Sequence, residues 1–114
     1  MSEIKIMSIE QLLQIPKLNT TWNNLIIFIT TKPNYYSFGI ASFFQMNIVD
    51  TDKPIVSKKD INNLYFIIEH CPYDTIYVCC DAGLSRSPAV ALFLAQRLGE
   101  HHQAQLINDK YRFI

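Results

Sequence analysis

The segment Ile76-Tyr77-Val78-Cys79-Cys80, then Asp81-Ala82-Gly83-Leu84-Ser85, then Arg86-Ser87-Pro88-Ala89-Val90-Ala91-Leu92 constrains the fold more than any other part of the chain. An apolar run reading as a strand over Thr75–Cys79 hands over, through a loop of small residues, to a helix over Ser87–Leu98. Pro88 suits the first helical turn, where its missing N–H has no partner to lose. Gly99 is the expected stop. A chain built on such a unit buries the strand between helices.

The rest of the sequence repeats the alternation. Ile4–Met7 reads as a short strand, and Ser8 with Gln11 three residues on opens a helix to about Ile15 by a capping box, ended by Pro16. Leu25–Thr30 is a continuous apolar, β-branched-rich run, as expected of a central strand covered on both faces. Lys32-Pro33-Asn34 breaks it. Residues 36–44 are ambiguous between a short helix and irregular packing, and Gln45–Val49 reads as another strand. Ser57 with Asp60 caps a helix running to His70, with Ile61, Leu64, Tyr65 and Ile68 on its apolar face. Cys71-Pro72 stops it, and Glu100–Tyr111 reads as a last helix. The expected fold is α/β, a mostly parallel central sheet with helices on both faces and Cys80 at the carboxyl ends of the strands, where ligands bind in such sheets.

The loop that follows the Thr75–Cys79 strand has a definite chemistry. A helix N-terminus presents unpaired N–H groups, and a tight loop of further N–H groups in front of it makes a concave site for a phosphate-sized anion. The loop residues Asp81, Ala82, Gly83, Leu84 and Ser85 would supply those amides, and Arg86 a bidentate fork. Gly83 lets the backbone turn where a side chain would block the anion. A thiol is a strong nucleophile only when ionised, and a helix N-terminus with a guanidinium lowers a cysteine pKa from about 8.5 to roughly 3.5–7.5. Cys80 sits where both act. Charge building on the oxygens of an attacked phosphate is stabilised by the same fixed donors, and the Ser87 hydroxyl is placed to hydrogen-bond the Cys80 sulfur as it leaves. A phosphate-reading module without turnover and a rhodanese-type sulfur-transfer enzyme are the alternatives. Arg86-Ser87-Pro88 favours phosphate over persulfide.

Cys80–Ser87 followed by Pro88-Ala89-Val90 resembles the signature of the protein tyrosine phosphatase superfamily, in particular the small dual-specificity-like enzymes of bacteria, archaea and phages. The order of elements fits that resemblance: an acidic stretch, Asn47-Ile48-Val49-Asp50-Thr51-Asp52-Lys53-Pro54, then a helix, then the cysteine strand. Low-molecular-weight phosphatases and arsenate reductases place the cysteine loop first and are disfavoured. The resemblance implies hydrolysis of phosphotyrosine, or of phosphoserine and phosphothreonine, through a phosphocysteine intermediate and without metal or organic cofactor. It implies Cys80 as nucleophile, Arg86 as phosphate ligand and Ser87 as the group assisting thiolate departure. It also implies an aspartate as general acid: Asp50, which is 80 − 50 = 30 residues before Cys80 and four before Pro54, with Asp52 as the alternative. Two departures stand out. Cys79 occupies the position where relatives carry a histidine that lowers the nucleophile's pKa, and Asp81 adds a negative charge beside the anion site, which disfavours polyanionic substrates such as phosphoinositides. Relatives also continue with a further C-terminal helix, so the apolar ending Tyr111-Arg112-Phe113-Ile114 is expected either to be naturally minimal or to expose a patch that drives dimerisation.

Length and charge bound the remaining possibilities. At 114 residues, 49% hydrophobic, the chain is expected to form one domain over residues 1–114. Ten basic and ten acidic side chains leave no net field to draw nucleic acid or an anionic membrane. The apolar runs Leu25–Ile29 and Ala89–Ala95 are far short of the ~20 residues of a spanning helix. With no signal-peptide core at Met1–Ile6 and three cysteines that form no disulfide framework, a cytoplasmic location is expected. His101-His102 have no partners at metal-ligand spacing and read as a solvated helix start. Cys71 reads as helix-end packing rather than a partner of Cys80, and His70 as a cation at a helix end. Trp22, Tyr35, Tyr36 and Phe38 read as packing residues rather than a groove for an aromatic phospho-side chain.

Overall fold

The computed structural model describes residues 2–15, 23–30, 42–46, 56–70, 73–80 and 86–111. Along the chain run β1 (Glu3–Ser8), α1 (Ile9–Leu13), β2 (Asn24–Ile29), β3 (Ser42–Met46), α2 (Lys58–His70), β4 (Thr75–Cys80), α3 (Arg86–Arg97) and α4 (His101–Tyr111). The four strands form one sheet in the order β1-β4-β2-β3, and every pairing is parallel. This is an α/β architecture, as the alternation of elements predicts.

The two faces of the sheet carry different helices because successive strand residues point to opposite sides. Ile27, Ile29, Ile76, Val78 and Cys80 face a large core completed by Leu64 and Ile67 of α2, Leu94 and Ala95 of α3, and Ala104 and Ile107 of α4. Ile26, Phe28, Tyr77 and Cys79 face a smaller core completed by Leu12 of α1. Every residue of β2 is buried, which explains its unbroken apolar run.

Local signals set the helix ends. Ser8 and Gln11 form the expected capping box: the Gln11 N–H donates to Ser8 Oγ at 3.1 Å and the Ser8 N–H to Gln11 Oε1 at 2.9 Å. The Asp60 N–H donates to the Ser57 hydroxyl at 3.1 Å at the head of α2. Gly99, at φ +75°, closes α3: its N–H donates to the Gln96 carbonyl at 3.3 Å and the Glu100 N–H to the Ala95 carbonyl at 2.8 Å, a Schellman motif.

Two expectations are corrected. The third strand, Ser42–Met46, begins three residues before the expected Gln45, because it pairs with β2 from Leu25 opposite Ser42 to Ile29 opposite Met46. Residues 47–49 lie outside the described residues, as does most of the segment 36–44 read as ambiguous. On α2 the inward stripe is Asp60, Leu64 and Ile67, while Ile61 and Tyr65 are exposed. Tyr65 instead meets the Phe93 ring of α3 edge-on, with centroids 6.0 Å apart. Two spacings at i, i+4 overlap on this helix, and its roll against α3 decides between them. Tyr111 packs against the large core, whereas residues 112–114 of the expected apolar patch lie outside the described residues. Among the described residues no helix is long and apolar enough to cross a membrane.

Candidate active site

Parallel pairing brings the ends of all four strands to one level. Ser8 and Ile29 are the register partners of Cys80 on either side, and Ile29 in turn partners Met46. Cys80 is thus the last residue of β4, inside the sheet, at its carboxyl edge. The helices that follow β1 and β4 leave this edge toward opposite faces, α1 to the smaller core and α3 to the larger. Neighbouring strands whose connections diverge in this way open the crevice where α/β sheets bind ligands.

Three of the expected site residues are described: Cys80 and Ser87 are in contact, and Arg86 immediately precedes Ser87 at the head of α3. Cys80 is 1% exposed and Ser87 is fully buried, with Cys80 Sγ and Ser87 Oγ 3.2 Å apart, within hydrogen-bond distance for sulfur. Arg86 is the first residue of α3, half-buried, with its Nε shielded from solvent. Ser87 lies seven positions after Cys80 in the chain, so their contact fixes how the strand end meets the helix start. α3 runs for 12 residues, long enough to present a full set of N-terminal donors at this edge.

Cys79 is a different kind of thiol. One step back along the strand, it points to the opposite face, packed in the smaller core with Leu12 and Phe28. Burial, and then the charge of a Cys80 thiolate beside it, push its pKa up to about 12. It is a neutral packing group at any physiological pH. The period-2 alternation of a strand already carried this information, because only one of two adjacent cysteines can face α3. Ser8, read from the sequence only as a helix cap, proves to be the residue beside Cys80.

Asp50, Asp52, the loop residues Asp81, Ala82, Gly83, Leu84 and Ser85, and Cys71 lie outside the described residues, as do Trp22, Tyr35, Tyr36 and Phe38. His101 and His102 are exposed at the start of α4, and His70 is exposed at the end of α2 against the Phe66 ring. Among the described residues no group of three or more His, Cys, Asp or Glu side chains is arranged to hold a metal ion.

Fold and site together define an α/β protein with a buried thiol at the carboxyl edge of a parallel sheet, held by a serine in the first turn of the following helix. No family model matches the chain, and no curated protein matches it.

Proposed function

We propose that the chain is a cysteine-dependent phosphomonoester hydrolase of the dual-specificity phosphatase type, acting on phosphorylated protein side chains in the cytoplasm. The observation that carries the reading is the 3.2 Å contact between Cys80 Sγ and Ser87 Oγ at a strand-to-helix junction that begins with Arg86. A hydroxyl at that distance can donate to a thiolate, and hydrogen bonds to a charged acceptor are about twice as strong as neutral ones. The two described cysteines lie on opposite faces of the sheet, each packed in a different core, so they do not pair with each other.

In the proposed reaction the Cys80 thiolate attacks phosphorus, the bond from phosphorus to the leaving oxygen breaks, and that oxygen takes a proton from the Asp50 carboxylic acid. Arg86 and the amides of residues 81–86 hold the phosphoryl oxygens throughout. Water then attacks the phosphocysteine, Asp50 accepts its proton, and the sulfur leaves as a thiolate hydrogen-bonded by Ser87. Chain geometry is compatible with the acid. Met46 ends β3 two strands from Cys80, roughly 10 Å away at ordinary strand spacing. Four further residues, spanning at most about 14 Å, lead to Asp50, and six lead to Asp52.

The test is hydrolysis of para-nitrophenyl phosphate and of a phosphotyrosine peptide without added metal, with vanadate as inhibitor. The expected result is turnover that vanishes in Cys80→Ser and that falls in Asp50→Asn more than in Asp52→Asn on the phosphopeptide, whose leaving group needs protonation. Folded parent protein that binds vanadate but turns over neither substrate would instead make the chain a phosphate-reading module.

A further inference from the structure

Among the described residues β1 is an edge strand of the sheet, and two glutamine side chains occupy the ends of its outer edge. The Glu3 N–H donates inward, to the Asp74 carbonyl beside β4 at 2.8 Å, so Ile4, Ile6 and Ser8 turn their backbone groups outward. Among the described residues no strand pairs on that side, since β1 ends the sheet order. Such an edge is a template for adding another strand unless something blocks it.

Gln103, on the first turns of α4, lies against the amino end of the edge. Its Oε1 accepts from the Ile4 N–H at 2.8 Å and its Nε2 donates to the Ser2 carbonyl at 2.6 Å. The side-chain amide thereby makes the two hydrogen bonds that one residue of a neighbouring strand would make. Its Nε2 also donates to Glu100 Oε2 at 3.1 Å, which holds the amide plane in place. At the carboxyl end, Gln11 Oε1 takes the outward Ser8 N–H at 2.9 Å, so the capping box of α1 doubles as a second plug. Between the plugs only the Ile4 carbonyl and the N–H and carbonyl of Ile6 face outward. Three groups are fewer than an ordinary strand of five or six residues needs.

We propose that Gln103 and Gln11 keep the β1 edge closed to a second copy of this chain, with Gln103 the main guard because it closes both a donor and an acceptor. The claim is independent of the phosphatase reading. Removing the Gln103 amide releases the Ile4 N–H, lengthens the open ladder toward the amino end of β1 and allows a strand of another molecule to add.

The experiment compares the parent, Gln103→Leu and Gln105→Leu by light scattering coupled to size exclusion from about 10 µM to about 1 mM, the range in which open strand edges associate. Gln105 is on the exposed side of α4, so its variant adds the same apolar group without touching the edge. The expected result is association that grows with concentration in Gln103→Leu alone. A Gln103→Leu protein that stays monomeric, or a Gln105→Leu protein that associates equally, overturns the proposal. Amide hydrogen exchange on the parent tests the plugs without any variant: the Ile4 and Ser8 amides should exchange roughly a hundredfold more slowly than Ile6. Equal rates at the three positions overturn it as well.

Discussion

The Cys80 thiol and the Ser87 hydroxyl lie 3.2 Å apart, both buried, one ending the central strand β4 and the other in the first turn of α3. Neither can be moved without moving the junction between strand and helix.

Under the proposed mechanism the hydroxyl acts when sulfur departs, after the leaving group has gone. Ser87→Ala is therefore expected to lower kcat by about 10- to 100-fold, the worth of one hydrogen bond to a charged group, while kcat/KM changes less. Rapid-mixing assays with para-nitrophenyl phosphate should show a burst of one para-nitrophenol per enzyme ahead of a slow steady state. Equal falls in kcat and kcat/KM without a burst would assign Ser87 to structure alone.

The two adjacent thiols should separate in alkali. Burial and the neighbouring Cys80 charge push Cys79 from an ordinary value of 9.0 to about 12. Between those values the unfolded chain has released a proton that the folded chain retains, so stability is intact below pH 9 and falls as pH rises toward 12. At its steepest the loss is about 1 kcal/mol per pH unit. Cys79→Val removes the ionisation and keeps the bulk, so denaturant unfolding of this variant should decline less steeply than the parent over that window. Identical slopes would mean that Cys79 ionises as easily in the folded protein as in the unfolded one.

Gly99 ends α3 at φ +75°, with open space where a Cβ would project. Gly99→Ala meets no atom, and its cost is the left-handed backbone itself, about 1–2 kcal/mol. For a domain of this length that lowers the melting temperature by roughly 4–15 °C, measurable by circular dichroism. An unchanged melting temperature would show that the left-handed conformation at position 99 costs alanine nothing here.

Much of the fold is local and was therefore readable. The caps Ser8-Gln11 and Ser57-Asp60, the stop at Gly99 and the apolar runs of β2 and β4 act within a few residues, and the structure has each of them where the pattern predicts. The described part of the candidate site is equally local, because Cys80, Arg86 and Ser87 fall within eight consecutive residues of one strand–loop–helix unit.

Tertiary pairing decided the rest. The bounds of β3 depend on Leu25–Ile29 across the sheet, and the inward stripe of α2 on its roll against α3, neither of which a local period encodes. The sequence by itself determined the α/β alternation, the helix caps and that the two adjacent thiols face opposite sides of the sheet, since propensity, capping and alternation operate along the chain. Only the folded sheet decided that Ser8 and Ile29 flank Cys80 and that Gln103 closes the edge of β1. Those contacts join residues dozens to a hundred positions apart, and hydrogen bonding across such distances follows from strand order and register, not from any pattern of neighbours.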